Sequence, residues 1–116
     1  MELIALLSSE KETWKQVSGL MTHGEWDSVI ILGNDSAKTF SHDKKFEFIK
    51  INLEKKLRDL KQEFQDNLKS KIKGTEVALT IASGSGKEHM ALISALLSVP
   101  TGIRFTALTK DGVVFL

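Results

Sequence analysis

Two short clusters and one asparagine have residue types and spacing suited to chemistry. The larger cluster is Ser83-Gly84-Ser85-Gly86-Lys87, with His89 just beyond it. Glycines at 84 and 86 let backbone approach a ligand with no Cβ in the way. The free N–H groups of a helix starting near Gly86 carry the positive end of its dipole, and Lys87 adds a mobile ammonium. Together they suit an anion, most naturally a phosphate. The smaller cluster is Ser8-Ser9, two hydroxyls that close an apolar run. Asn34 ends a second apolar run, where it could read a base or simply make a turn.

Each feature also has a structural reading. Ser85 with Glu88 three residues on has the form of a capping box, and Ser9 with Glu12 has the same form at an earlier helix start. Glycine-rich turns between strand and helix also occur where no ligand binds. His89 could hand a proton to a leaving oxygen, or be a partly exposed first-turn residue. Trp14 and Trp26 could stack on bases, but Trp14 stands at helical spacing from Val17 and reads as core. Arg104 lies in a strand, facing solvent or an acid.

Two phosphate motifs are excluded. A Walker loop needs glycine where Ile81 stands and Ser or Thr where Glu88 stands. A dinucleotide fingerprint needs glycines after the first strand, which ends instead in two serines. The chain has no cysteine, which closes thiolate, disulfide and cysteine-ligand chemistry. His23 and His42 lack metal-ligand spacing, so no metal and no cofactor is expected.

The elements that must position these residues alternate along the chain. Leu3–Leu7 is a continuous apolar run of the kind buried in parallel sheets. Trp14, Val17 and Met21 then mark a helix stopped near Gly24, and "DSVIILGN" reads as a second strand. "DSAKTFSHDKK" has room for two helical turns at most, and "FEFIKIN" alternates as a third strand. Leu53, Leu57, Leu60, Phe64, Leu68 and Ile72 recur at helical spacing up to Gly74. "EVALTIAS" is a fourth strand, a helix runs to Pro100, and "IRFTALT" turns through Asp111-Gly112 into "VVFL". The alternation predicts an α/β fold: a Rossmann-like three-layer sandwich whose mostly parallel sheet has about six strands, the last an antiparallel hairpin strand.

Parallel crossovers are right-handed; if strands two and three wind outward on one side of strand one, the long helix can return strand four to its other side. The seam between strands one and four is then a topological switch point, where ligands bind beyond the carboxyl ends. The Ser8–Ser9 loop and the Ser83–Lys87 loop would meet there.

At 116 residues the chain reads as a single domain, 1–116, either complete or the front of a longer protein. A net charge of +1 argues against a protein that coats long nucleic acids. No apolar run reaches the roughly 20 residues of a membrane span, and no leader precedes the first strand, so a cytoplasmic location is expected. The final helix, carrying Met90, Ile93 and Leu97 among other apolar residues, has almost no polar face. It predicts a second subunit packed outside it, a two-fold homodimer. A missing domain or the neighbouring helix would cover it equally well.

The element order, Ser8-Ser9 after the first strand and "SGSGKEHM" after the fourth resemble the CARF family, the CRISPR-associated Rossmann-like sensors. Two departures stand out. Glu88 and His89 separate Lys87 from Met90 where the family usually has one residue, and the stretch after strand two is short for a crossover helix. The resemblance implies a homodimer that binds cyclic oligoadenylate across its interface, in antiviral defence. Its ligand-binding set would be Ser8, Ser9, Asn34, Ser83, Gly84, Ser85, Gly86, Lys87 and His89. Some family members are ring nucleases that need no metal; there Lys87 would stabilise the phosphorane charge and Ser8 or Ser9 would hold ribose or phosphate. Binding alone and binding with cleavage fit the same residues. Two rivals are a homodimeric protein-interaction domain with no nucleotide ligand and a binder of a mononucleotide or phosphometabolite.

Overall fold

A computed structural model describes residues 1–116. Its strands are β1 (Glu2–Leu7), β2 (Val29–Gly33), β3 (Glu47–Lys50), β4 (Glu76–Thr80), β5 (Gly102–Thr109) and β6 (Gly112–Phe115). Its α-helices are α1 (Trp14–His23), α2 (Leu57–Leu68) and α3 (Gly86–Ser98). The sheet order is β3-β2-β1-β4-β5-β6, parallel except for the β5–β6 pair. Strand β1 lies between β2 and β4, with Ile4 opposite Ile30 on one side and Leu79 on the other. The predicted architecture and the predicted seam are therefore both present.

Alternation along β1 divides the core. Ile4 and Leu6 face α2 and α3, in one cluster with Leu60, Phe64, Leu92 and Leu96. Leu3, Ala5 and Leu7 face α1, with Val17, Leu20 and Met21. Every residue of β1 is buried, which is why the strand reads as unbroken apolar sequence rather than alternating.

Two helix boundaries differ from the periodicity. Leu53 and Ile72 fit the spacing of α2 but lie outside it, packing from the flanking loops. Lys56 is extended at the N-cap, and the carbonyls of Leu53 and Lys55 accept from the Lys87 ammonium instead of from helical N–H groups. The Ser9–Glu12 capping box does not form either. Ser8 Oγ accepts from Glu10 N–H, and the chain enters α1 through a 3₁₀ turn, Lys11–Thr13, with no side-chain cap. The short connection after β2 is also a 3₁₀ turn, Asp35–Thr39.

Candidate functional site at the β1–β4 seam

The parallel β1–β4 pairing brings the two clusters together at the carboxyl edge. Ser83 Oγ accepts from the Ser8 N–H at 2.8 Å and lies 3.1 Å from Ser8 Oγ. Thr13, in the turn after Ser8, lies 2.7 Å from Ser83 Oγ through its hydroxyl. The Trp14 indole N–H donates to the Ser8 carbonyl at 2.8 Å. Trp14 also packs edge-on to Phe40, so its ring belongs to the α1-side core rather than to a stacking surface. Trp26 is likewise anchored, its indole N–H donating to the Leu20 carbonyl.

Ser83 is only 1% exposed and serves as the hub of the seam, whereas Ser8 is half-buried and Ser9 exposed. The turn from β4 into α3 depends on Gly84, whose φ is +109°. A Cβ there would lie 2.6 Å from Leu6 Cδ2 and 3.0 Å from His89 Nε2. Strain at such a φ costs a side-chain-bearing residue about 1–3 kcal/mol, before the clash is counted. Gly84→Ala should therefore lower stability by at least that much in chemical denaturation.

Gly86 presents the opposite case. Its φ is negative and a Cβ would meet nothing within 4 Å, so neither packing nor conformation requires glycine there. It opens the N-terminus of α3 to any approaching group. Ser85 forms the capping box with Glu88: Glu88 N–H donates to Ser85 Oγ at 3.3 Å, and Ser85 N–H donates to Glu88 Oε1 at 2.9 Å.

His89 Nε2 lies 2.8 Å from the Ser83 carbonyl oxygen. A carbonyl only accepts, so Nε2 carries the proton and Nδ1 is the nitrogen left for other partners. Lys87 reaches the loop that precedes α2, its ammonium donating to the carbonyls of Leu53 at 3.1 Å and Lys55 at 3.0 Å. That loop is fixed from its other side, where Lys55 pairs with Glu63 at 2.8 Å. The Glu63 carboxylate raises the Lys55 ammonium above its ordinary pKa, chiefly by accepting its hydrogen bond. Asn34 ends β2 on the same sheet edge, its Oδ1 accepting from the N–H and hydroxyl of Ser36 as a cap.

Thr13 and the Leu53–Lys55 loop did not emerge from the sequence. Thr13 follows Ser8 by five positions and could have been noticed as a hydroxyl in the same strand-to-helix turn. The Leu53 carbonyl carries no sequence signal at all.

A concavity of about 530 Å³ lies at the opposite edge, rimmed by Glu2, Lys45, Glu47 and Lys71. Its carboxylates are engaged within the protein, whereas the Lys45 and Lys73 ammonium groups form no ion pair. Lys71 pairs with Glu47 at 2.7 Å, and the Glu2 carboxylate accepts from Lys73 N–H, Gly74 N–H and the Ser28 hydroxyl. The carboxyl edge, by contrast, keeps the open Gly86 N–H region and helix N-termini of one polarity. No three His, Asp or Glu side chains converge anywhere, and no helix is long and apolar enough to cross a membrane.

No protein-family model matches the sequence, and a search of curated proteins finds no match. Solved structures do share its fold. Csm6 of Enterococcus italicus, bound to cyclic hexa-2′-fluoro-hexa-dAMP, superposes with a TM-score of 0.60 at 15% identity, over 94% of this chain and 33% of that one. A UDP-N-acetylglucosamine 2-epimerase superposes with a TM-score of 0.56 at 16% identity, over 90% of this chain and 32% of that one. This chain thus spans about a third of the solved chains it matches. The fold is CARF-like and Rossmann-like; proteins of unrelated activity share it, so function must be argued from the site.

Proposed function

We propose that this domain binds a cyclic oligoadenylate at the β1–β4 seam, as a two-fold homodimer in CRISPR-type antiviral defence. The observation that carries this reading is the direct bonding of Ser8 to Ser83 across the switch point, beside a helix N-terminus left open by Gly86. The fold likeness to a Csm6 solved with a cyclic nucleotide supports it. Ser8, Ser9 and the N–H groups of Gly86 and Lys87 would hold phosphate and ribose, since those of Glu88 and His89 already donate to Ser85. Lys87 joins them by leaving the Leu53 and Lys55 carbonyls, a side-chain rotation rather than a backbone change. Gly84 and Ser85 shape the turn, and Asn34 reaches a base only by giving up its cap.

The same atoms suit ring cleavage. The 2′-oxygen of one ribose attacks the adjacent phosphorus and loses its proton, while the 5′-oxygen leaves and gains one. The products are a 2′,3′-cyclic phosphate end and a 5′-hydroxyl end. The protein's part is in-line alignment and stabilisation of the phosphorane charge by Lys87 and backbone N–H groups.

Thermal shift with cyclic tri-, tetra- and hexa-adenylate tests binding; a rise of several degrees with one ring size is expected. Gly86→Ala sharpens the test. Alanine is tolerated there without strain, so stability should hold or rise by about 0.4–1 kcal/mol, while ring affinity falls because the added methyl fills the approach. Chromatography of the incubated ring, without added metal, reads cleavage.

A second reading is favoured by one observation: Lys87 and the Ser85–Glu88 box are fully engaged within the protein. In that case the domain is a protein-interaction module, and no ring shifts its melting.

A further inference from the structure

We infer that Thr13 sets the hydrogen-bonding character of Ser8, so that the seam reads a ribose 2′-hydroxyl and prefers ribonucleotide rings to deoxyribonucleotide rings; this rests on the binding reading above.

The argument is a count of protons. Ser8 Oγ, Ser83 Oγ, Thr13 Oγ1 and the Glu10 carbonyl oxygen form a line, with separations of 3.1, 2.7 and 2.7 Å. Three hydroxyl protons serve three contacts. All three are bonded only when Ser8 donates to Ser83, Ser83 to Thr13, and Thr13 to Glu10. Ser8 Oγ then accepts from Glu10 N–H at 3.1 Å and keeps one lone pair for a ligand, with no proton to offer.

The line can also run in reverse. Ser83 donates to Ser8, Thr13 donates to Ser83, and the Ser8 proton turns outward. Only the Thr13–Glu10 hydroxyl bond is lost, and the Glu10 carbonyl still accepts from Thr13 N–H at 3.1 Å. Reversal is therefore cheap, and Ser8 can donate to a phosphate oxygen or accept from a hydroxyl. A ribose 2′-hydroxyl whose lone pair faces the neighbouring phosphate must donate its proton, and Ser8 in the first arrangement accepts it. The 2′-hydroxyl is the group that distinguishes RNA from DNA.

Thr13 makes both arrangements available. Ser83 is buried, so water does not take its proton. Without the Thr13 hydroxyl, that proton has Ser8 Oγ as its acceptor, and Ser8 is fixed as a donor. Thr13 is thus a positioning residue acting through Ser83.

Affinities of cyclic tri-, tetra- and hexa-adenylate and their all-2′-deoxy counterparts test this for the unsubstituted protein, Thr13→Val and Thr13→Ser. One hydrogen bond supports a ribose preference of about tenfold in the unsubstituted protein. Thr13→Val should lose that preference while keeping its affinity for the deoxy ring, and Thr13→Ser should retain it. A general structural defect would weaken both rings alike. If Thr13→Val fails to fold by thermal unfolding, Thr13→Ala at this half-buried position carries the same expectation. A ribose preference that survives in Thr13→Val, or is absent from the unsubstituted protein, overturns the relay alone. No ring bound by the unsubstituted protein overturns the relay and the binding reading together.

Discussion

Lys87→Ala is expected to weaken binding of the cyclic oligoadenylate by about 100-fold or more. Hydrogen bonds to a charged group contribute about 1.5–3 kcal/mol each, and a ring on a two-fold axis meets the lysine twice. The structure adds a second consequence. In the unliganded protein the Lys87 ammonium satisfies the carbonyls of Leu53 and Lys55, at the entrance to α2. Alanine returns both carbonyls to water, at a cost of about 1–2 kcal/mol because the Lys55 site is exposed. Hydrogen exchange over residues 52–60 should rise in the variant, while β1 and β4 amides stay protected. Calorimetric titration with the ring, beside exchange mass spectrometry, separates the two roles. Faster exchange with unchanged ring affinity would make Lys87 a latch for the α2 entrance and remove it from the ligand site.

Some of the site was legible in sequence and some was not. Leu3–Leu7 and Val77–Leu79 are apolar without interruption because both strands are covered on two faces, and this marks them as central in a parallel sheet. With both central, and strands two and three wound to one side of strand one, the two become neighbours and Ser8 approaches Ser83. Strand periodicity ends with the strand, however. Nothing in "ASGSGK" says that Ser83 turns inward to 1% exposure while Ser85 turns outward to cap α3. The target of Lys87 lies 32 and 34 positions away and is backbone, which every residue carries. That contact stands just before α2, which starts at Leu57 although Leu53 continues the apolar period. A heptad-like pattern reports which residues are buried, not whether they are helical, and Leu53 and Ile72 are buried or half-buried from loops. The Ser9 capping box fails for a related reason: the first helical turn begins at Lys11 with Glu10 at its N-cap, so Ser9 lies outside the helix and Glu12 is not its N3 residue.

The other large effect concerns the outer face of α3. Met90 and Leu97 are 59% and 62% exposed, and half-buried Ile93 lies between them on one stripe of the helix. The inner face is filled by Ala91, Leu92, Ala95 and Leu96, so the stripe is apolar surface left over after the protomer has folded. At a two-fold axis one stripe meets its own copy, and Leu97→Asp sets two carboxylates against the same apolar contact. Unpaired buried charge is strongly disfavoured, so dimer affinity should fall by on the order of 1,000-fold, comparable to loss of an interface hot spot. Sedimentation should show a dimer for the unsubstituted protein and a monomer for Leu97→Asp, with the monomer melting at an unchanged temperature at low protein concentration. Met90 is three residues from Lys87 on the same helix, so the stripe runs directly into the seam, and a ring that bridges two protomers needs both halves. Ring affinity should therefore collapse in Leu97→Asp although Ser8, Ser83 and Lys87 are untouched. A monomer that still binds the ring at full strength would confine the site to one protomer, and an undisturbed dimer would place the two-fold axis on another face.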